Sequence, residues 1–573
     1  MPGTESGTPL IRIIRQPETA IRRARDTLGQ IKNPFELPVW LSELKDRDIL
    51  RKDFIAGLTV ALVLIPQSMA YAQLAGLPAH YGLYASLLPP VIAAFFGSSR
   101  QLSTGPVAMV SLMTAAALEP LATMGSEAFI GYAILLAFMV GLFQLFLGIF
   151  RLGVLMNFLS HPVVIGFVNA AAIIIATSQM GKLFGVEADK GHAHYEYVIN
   201  TIRAAMENTH WPTLAMALFA FALMYVIRHY RPKFPAVLIT VILTTILAWL
   251  FGFAEHASVK LEQINNQKIR IALVFDGIQS KHTSNLRAKY ISAQQEYKEL
   301  AAQTEGESEE LLAGRQQLEQ IAFRLEQMKQ EGLSHHAELY GTTLYKVGRG
   351  KNMKFFTREE IGNIAGERSL IYFQNWHIES YANDTVQLQA GGKVIGKIPK
   401  GLPGFQMPTL DFSTITQLIG ATIAISLIGF MEAISIAKAM AARTRQNLNA
   451  DRELIGQGIS NITGSLFQSY PVSGSFSRSA VNFNAGGVTG FSSFITALAV
   501  AVTLLFLTPL LYYLPQATLA AVIIVAVAGL IKVKPMIHTW QANRHDGVVT
   551  VVTFLLTLAL APELEMGILV GML

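Results

Sequence analysis

The segment Ser469–Gly487 reads SYPVSGSFSRSAVNFNAGG and separates two apolar stretches of the chain. It holds five serines, three glycines, a proline and one cation, Arg478. Proline and glycine are the residues that least favour a helix interior, so the segment predicts a break after which a helix restarts near Ser475–Ser477. Arg478 then lies in the first helical turn, where the helix dipole disfavours a cation.

The composition around this break is that of a membrane protein. The 573 residues are 51% hydrophobic and 15% charged, with a mean hydropathy of +0.39, whereas soluble domains average about 25% charged residues. Several apolar stretches approach or reach the length that crosses a hydrocarbon core of roughly 30 Å. They are Phe54–Ala75, Phe129–Phe150, Val163–Thr177, Thr213–Ile227, Pro235–Phe253, Ile415–Ala437, Phe491–Tyr513, Ala517–Ile531 and Val548–Ala561. Shorter stretches, Val107–Met113 and Ala115–Leu118, predict half-length helices.

The placement of charge predicts the topology. The net charge of +6 would suit nucleic-acid binding, but the basic residues precede the first span and then recur in alternate connections, as the positive-inside rule describes. We therefore expect no nucleic-acid partner, but a multi-pass protein in the lipid bilayer of a bacterial inner membrane, with a cytoplasmic N-terminus. The chain has no cysteine, and no nucleophile–base set or metal-ligand cluster stands out, so we predict no enzyme activity, no metal and no cofactor.

Four segments follow from these patterns. Residues 1–53 form a basic cytoplasmic segment and residues 54–255 a first membrane repeat. Residues 256–400 form a polar extracytoplasmic insertion, and residues 401–573 a second membrane repeat. The final apolar stretch holds about ten residues where roughly twenty are needed to span, so we expect an incomplete last helix and a truncated chain.

The insertion is predicted to be a small α+β domain. Lys289–Leu300 and Leu311–Gln330 have helical patterns, and Thr304–Ser308 is expected to turn between them and close a helical hairpin. Ile269–Phe275 and Leu370–Phe373 have the composition of strands. We expect the insertion to be structural or to bind a periplasmic partner.

A second break, LSTGPVAM at residues 102–109, matches the first in its position within its half of the chain. Thr104 or Ser103 is expected to cap a helix, with Pro106 in the first turn. A helix that starts inside the membrane presents free amides and partial positive charge to an anion; a start at the membrane surface is the simpler alternative. Interrupted helices at corresponding places in two halves predict an inverted-repeat transporter with its site at the breaks.

Three more polar residues of the predicted spans are candidates for this site. Gln67 and Tyr71 are four residues apart and share a helix face, although an interhelical hydrogen bond and an interfacial tyrosine would also account for them. Glu432 is the acid within the long eighth span. It is a candidate carrier of a coupling proton or cation, or else the ion-pair partner of Lys438 or of Arg478.

Four stretches together resemble the SulP family of sulfate-permease-like anion transporters. They are AGLTVALVLIPQSMAYAQLAGLPAHYGLYAS, STGPVAMVSL, the surroundings of Glu432, and YPVSGSFSRSAVNFNAGG. The resemblance extends over roughly Trp40–Phe253 and Ile398–Leu573, and the combination of motifs is more specific than any one of them.

The resemblance implies an all-α polytopic fold of two inverted seven-helix repeats, with a core and a gate domain and half-length third and tenth helices. It implies that the core moves like an elevator against the gate. It also implies a homodimer and a cytoplasmic C-terminal STAS domain, which does not follow in this sequence. The anion is expected between the third and tenth helices. The residues expected there are Gln67, Tyr71, Thr104, Val107, Ser477 and Arg478.

The predicted function is secondary active transport of a small inorganic or organic anion, namely sulfate, bicarbonate, chloride or a dicarboxylate. Glutamate at position 432 favours coupling to H⁺ or uncoupled exchange. Relatives with aspartate there resemble sodium symporters, so a bicarbonate symporter coupled to Na⁺ is an alternative. A nucleobase-type carrier of the same architecture is another, but a lone arginine between positive helix ends suits a neutral base poorly. A scaffold that anchors the insertion is the alternative from a different class.

Overall fold

The computed structural model describes residues 38–561 apart from 123, 154–160, 187, 189–192, 232–233, 304–308, 341, 349–352, 358, 362–374, 383 and 397. Four predictions therefore lie outside the described residues: the basic segment up to residue 37, the turn at Thr304–Ser308, the strand at Leu370–Phe373 and the incomplete last helix. The chain divides into two compact units, Met1–Leu250 with Lys393–Leu573 and Phe251–Gly392. We call them the membrane unit and the inserted unit.

The first half of the membrane unit is almost entirely helical and opens with a 3-10 helix, Val39–Lys45. Its described residues include one strand, β1, which has three residues and precedes a short helix. The elements are α1 (Arg47–Leu74), α2 (His80–Tyr84), α3 (Leu88–Phe96), β1 (Ser103–Gly105), α4 (Ala108–Leu118), α5 (Glu127–Ile149), α6 (His161–Ser178), α7 (Met180–Phe184), α8 (His194–Asn208), α9 (Trp211–Tyr230) and α10 (Ala236–Leu250).

The inserted unit supplies the middle of the chain. The membrane unit then resumes with two helices, which are followed by a second short strand and a short helix. The inserted elements are β2 (Ala254–Lys260), α11 (Gln267–Gln303), α12 (Glu309–Tyr340), β3 (Thr343–Val347), β4 (Lys354–Thr357), β5 (Asn375–Ala382) and β6 (Thr385–Gly391). The second membrane half contains α13 (Phe412–Thr444), α14 (Ala450–Ser465), β7 (Ser473–Ser475), α15 (Phe476–Asn484), α16 (Phe491–Val502), α17 (Gln516–Ala528), α18 (Val533–Ala542) and α19 (Arg544–Ala559).

Seven helical segments among the described residues are long and apolar enough to cross a membrane. They are Arg47–Leu74, Glu127–Ile149, Pro162–Phe184, Trp211–Tyr230, Thr414–Thr444, Phe491–Leu511 and Gln516–Ala542. The apolar stretches Val107–Met113 and Ala115–Leu118 lie in one helix, α4, of 11 residues, apart from Val107, which is its N-cap. Its counterpart after the second break, α15, has nine. Both helices are too short to cross a bilayer, which confirms the predicted half-length helices.

Local sequence explains where the long helices begin and how closely they pack. Side-chain oxygens of Asp46, Ser126 and Asp411 accept backbone amides at the starts of α1, α5 and α13, a standard N-cap arrangement. In α1, Gly57 lies directly against the backbone carbonyl of Ser492, in the first turn of α16. A larger side chain at position 57 would not fit there. Small residues at helix contacts are typical of membrane bundles.

The helices of the membrane unit fall into two sets by their packing. The first helix set packs α1–α5 with α13–α16 and includes both short strands. The second helix set packs α6–α10 with α17–α19. Between the sets, the main contacts of the described residues are those of α1 with α10 and α17, and of α4 with α6.

The inserted unit is an antiparallel five-stranded sheet with the order β2-β6-β5-β3-β4, covered by a long helical hairpin. Its core gathers buried side chains from the strands and from the two helix ends nearest the sheet, including Leu273, Leu339, Phe355 and Trp376. The predicted helices lie within α11 and α12, so the α+β composition of the insertion is confirmed.

One prediction for the inserted unit is wrong. Ile269–Phe275 was expected as a strand, but it lies in the first turns of α11. Ile269 and Leu273 face the sheet, while Ile271 and Phe275 are exposed. The apolar run therefore belongs to a helix that has apolar residues on two sides. In so short a run, the spacing of apolar residues does not distinguish a helix from a strand.

Candidate functional site

The two breaks meet as a pair of antiparallel strands inside the first helix set. Ser103 pairs with Ser475, Thr104 with Gly474, and Gly105 with Ser473. All the residues of both strands are buried. A helix begins within three residues of each strand, and because the strands are antiparallel, α4 and α15 run away from the pair in opposite directions.

The predicted cap of α4 is wrong. Val107 occupies the N-cap position and no side chain caps the helix, so Pro106 precedes the first turn instead of lying in it. The hydroxyl of Thr104 is engaged elsewhere, since its Oγ1 accepts a hydrogen bond of 2.9 Å from Gln457 Nε2. The amide of Ser103 donates to Ser479 Oγ at 2.9 Å. Strand pairing takes the residues that would otherwise cap the helix.

Neither short helix has its first amides capped by a side chain. Ser475 is the N-cap of α15, and its side chain makes no capping hydrogen bond to a backbone amide of that helix. The first amides of a helix have no partner within the helix. Two uncapped helix starts on either side of one strand pair therefore provide converging hydrogen-bond donors and partial positive charge.

Arg478 lies in the first turn of α15, as predicted, and is completely buried. Its Nη1 donates to the carbonyl of Pro106 at 2.8 Å, which joins the second break to the first. Its Nε and Nη2 are buried without a hydrogen-bond partner. Among the described residues no carboxylate comes within ion-pairing distance of the guanidinium. A buried cation with two free donors is a strong attractor for an anion.

Gly105 leaves the space that the guanidinium occupies. Its φ angle is +150°, and a Cβ there would lie 3.2 Å from Arg478 Nη2 and 3.8 Å from Leu64 Cδ1. The glycine thus permits the arginine to lie against the backbone of the first break, next to α1.

Tyr71 and Gln67 line the same region from α1. Tyr71 is buried and interacts electrostatically with both Arg478 and Glu432. Gln67 is buried one turn earlier, and its Oε1 has no hydrogen-bond partner. The helix that holds them contains Pro66, which removes one backbone donor from the helix at this depth.

Glu432 of α13 lies within electrostatic range of Arg478 but is not paired with it. Its Oε2 is buried without a hydrogen-bond partner, while the residue as a whole is half-buried. Among the described residues it forms an ion pair with neither Arg478 nor Lys438. One oxygen of this carboxyl group is therefore buried and unpartnered in this structure.

The two remaining predicted residues occupy different surroundings. Val107 is buried at the N-cap of α4. Ser477 is exposed, and its Oγ lies 3.4 Å from Ser475 Oγ. Arg478 and Ser477 thus face different sides of α15, one into the set and one out of it.

Sequence reasoning missed Tyr470 and the polar side chains that hold the breaks in place. Tyr470 is completely buried, its hydroxyl lies 3.2 Å from Ser111 Oγ, and it interacts electrostatically with Arg478. Its place next to Pro471, inside the quoted segment, was the available signal. A tyrosine at a helix break inside a membrane needs a partner for its hydroxyl.

Asn461 of α14 fastens the second break. Its Oδ1 accepts the amide of Val472 at 2.9 Å, and its Nδ2 donates to the carbonyl of Val472 at 3.2 Å. The same Nδ2 also donates to Gln144 Oε1 at 3.1 Å. The Asn461 side chain thus satisfies the buried backbone amide and carbonyl of Val472, as a neighbouring strand would do in a sheet. Gln457, one turn earlier, holds Thr104 as described above, and this i, i+4 pair of amides was the missed sequence signal.

Comparison with known proteins identifies the family. The model of the sulfate permease family matches residues 50–298 and 375–553, which is most of the chain. The chain belongs to the sulfate permease family. This is a family of transporters and not of enzymes.

The relatives and solved structures agree with this membership. The chain is 31% identical to the chloroplastic sulfate transporter 4.1 of Arabidopsis thaliana, over 93% of this chain and 58% of that protein. It superimposes on the murine Solute Carrier 26 family member A9 anion transporter with a TM-score of 0.63 at 19% identity, covering 94% and 69% of the two chains. On the transmembrane domain of a cyanobacterium bicarbonate transporter, BicA, the TM-score is 0.59 at 18% identity, covering 92% and 98%.

These likenesses confirm the predicted fold class. The two solved structures are too distant in sequence to carry more than the fold. The chain spans 58% of the length of the plant relative.

Proposed function

We propose that this membrane-embedded chain is a secondary transporter of small anions. The observation that carries the proposal is the Arg478 guanidinium, completely buried, with two free donors and no carboxylate within ion-pairing distance among the described residues. An unpaired cation at depth is costly, by about 2.5–3.5 kcal/mol on insertion scales. A bound anion offsets that cost, whereas a neutral nucleobase does not.

The anion binds where the helix starts converge with the guanidinium. Arg478 Nη2 and Nε supply two donors, the first amides of α4 and α15 supply more, and Gln67 and Tyr71 form the wall on α1. None of these groups distinguishes one small oxyanion from another by shape alone. Sulfate is the first candidate because the plant relative is a sulfate transporter, and bicarbonate follows because BicA is a bicarbonate transporter.

Transport follows an elevator-type alternating-access mechanism in this proposal. The site belongs entirely to the first helix set, which packs as one body through α1, α13 and β7. Sliding of this set along the second helix set would carry the anion across without taking the site apart. The inverted repeat, homodimer, bacterial inner membrane, cytoplasmic N-terminus and periplasmic position of the inserted unit belong to the same proposal.

Coupling is assigned to Glu432, with H⁺ as the coupling ion. The orphaned Oε2 beside a cation site is suited to gain a proton when an anion enters and to lose it when the anion leaves. A sodium-coupled bicarbonate symporter is the competing form, in which the same carboxylate would hold Na⁺.

Uptake of labelled sulfate, bicarbonate, chloride and fumarate into proteoliposomes tests the function, with imposed proton or sodium gradients. Arg478→Ala abolishes saturable uptake, and Arg478→Lys retains the charge but loses the second donor. Arg452→Ala is the matched control, because Arg452 is exposed near the start of α14 and away from the strand pair. Unchanged uptake by folded Arg478→Ala protein contradicts the assignment of the site.

A further inference from the structure

Lys532 is a second cation that has no carboxylate partner among the described residues. It lies in the gap between α17 and α18, inside the candidate span Gln516–Ala542. It is the N-cap of α18, where the helix dipole disfavours a positive charge. Its side chain is exposed, and no carboxylate of the described residues lies within ion-pairing distance. Neither helix stability nor an ion pair accounts for a lysine at this place.

The backbone of Lys532 is fixed in position. Its amide donates to Asn169 Oδ1 at 2.7 Å. Asn169 is buried in the middle of α6, and its Nδ2 donates to the carbonyl of Ile165 at 2.8 Å. The gap between α17 and α18 is thus a built feature of the second helix set.

The side chain of Lys532 reaches across to the first helix set. Its Nζ lies 5.9 Å from the ring centroid of Phe476, the first residue of α15. Phe476 and Ser477 are exposed, and Arg478 comes next along the helix. A cation–π contact at an exposed site contributes only about 0.5–1 kcal/mol, so the ammonium stays available to an anion.

A third cation lies further along the same side of α15. The guanidinium carbon of Arg443 is 5.9 Å from the ring centroid of Phe483. Phe483 follows Phe476 by seven residues, which returns to the same helix face after two turns, about 10 Å away. We call Lys532 and Arg443 the cation track.

The track connects the site with the end of the membrane unit where α1 begins. Beyond the end of α15, the amide of Val488 donates to Asp53 near the start of α1. At the site, Gly105 faces Leu64 of the same helix. By the rise of 1.5 Å per residue, Leu64 lies about 16 Å further along α1 than Asp53. The two cations therefore follow α15 from near one end of the bundle to the depth of the site.

We propose that Lys532 forms a second anion-binding position, on the opposite helix set from Arg478. It receives a small inorganic oxyanion or halide beside Phe476 on the way to or from the site, and Arg443 attracts the anion at the outer end of the track. This inference rests on the proposed function, since it describes the access route to the same site. A cation along a narrow path raises the local anion concentration, an effect that salt weakens.

Initial rates of sulfate uptake, measured in proteoliposomes at low and high ionic strength, test the inference. Lys532→Gln raises the KM for sulfate about three- to tenfold at low ionic strength, as expected for one charge removed at short range, and changes the maximal rate far less. The difference shrinks at high ionic strength, and Lys532→Arg restores the low-salt KM. Lys532→Glu raises the KM further.

Lys534→Gln is the matched control, because it removes the same charge two residues away. Lys534 lines a surface groove with Ile165 and His538 instead of facing α15. Lys532→Met keeps the side-chain stem and repeats the test if Lys532→Gln does not fold.

The outcomes separate this inference from the proposed function. The inference alone is overturned if the wild-type protein transports sulfate and the Lys532→Gln and Lys534→Gln variants have equal KM values at low salt. A wild-type protein that neither transports nor binds sulfate, bicarbonate or chloride overturns both. Binding itself is measured with labelled anion on purified protein, and Arg478→Ala marks the loss of the main site.

Discussion

Replacing Asn461 with alanine is expected to damage the proposed anion site without removing any group that is proposed to contact the anion. Its side chain hydrogen-bonds to both the backbone amide and the backbone carbonyl of Val472, at 2.9 and 3.2 Å. Its loss also leaves Gln144 Oε1 without the donor at 3.1 Å. Three buried polar groups are stranded at about 1–1.5 kcal/mol each, so the free energy of unfolding falls by about 3–4.5 kcal/mol.

The second consequence of Asn461→Ala concerns binding. Val472 immediately precedes β7, so the backbone that places Arg478 loses its support on one side. We expect sulfate affinity to fall by about tenfold or more, because small misplacement of a binding group is costly. Thermal unfolding of purified protein with increasing sulfate measures both effects, since a bound ligand raises the midpoint by an amount set by its affinity.

Asn208→Ala is the control for this substitution. Asn208 is exposed at the last residue of α8, in the second helix set. It is expected to leave both the midpoint and its rise with sulfate unchanged. An Asn461→Ala protein that unfolds at the wild-type temperature and shows the wild-type rise would refute the role given to this side chain.

Three other substitutions have clear expected outcomes. Gly105→Ala places a Cβ 3.2 Å from Arg478 Nη2 and is expected to weaken sulfate binding about tenfold, whereas Gly420→Ala, where a Cβ meets nothing within 4 Å, leaves it unchanged; equal binding by the two variants would contradict the close fit. Glu432→Gln is expected to abolish stimulation of uptake by an inward proton gradient while anion exchange continues, and retained stimulation would move coupling elsewhere. Burial lowers the pKa of His194, so the folded protein disfavours the protonated imidazole and stability should fall as pH drops below about 6.5. His194→Gln should reduce the decrease in the thermal midpoint between pH 7.5 and 5. An undiminished decrease would show that other groups cause it.

Local chemistry made the breaks and the arginine predictable. Proline, glycine and serine interrupt a helix wherever they cluster, and a cation in an apolar segment stands out against its surroundings. The shared position of Gln67 and Tyr71 was predictable from their spacing, because residues four apart lie on one face of a helix.

The partners of these residues were not predictable, because they come from distant parts of the chain. Ser103 pairs with Ser475 across more than three hundred residues, and nothing in the local pattern of either segment specifies that register. The hydrogen bonds between Asn461 and the backbone of Val472 were not predictable either, because no local pattern specifies them. The cap expected at Thr104 failed because a long-range hydrogen bond from Gln457 competes for the hydroxyl.

The pairing of β1 with β7 has a thermodynamic consequence for a carrier. Three residue pairs hold the two helix starts together, and Arg478 adds a hydrogen bond to the carbonyl of Pro106, so the donors cannot separate without breaking this joint. We therefore expect the dissociation constant for the anion to be nearly equal whichever side of the bilayer the joint faces. With equal affinity on both faces, accumulation depends on the driving gradient alone, and in its absence the protein would equilibrate the anion and exchange one for another in either direction at the same half-saturation.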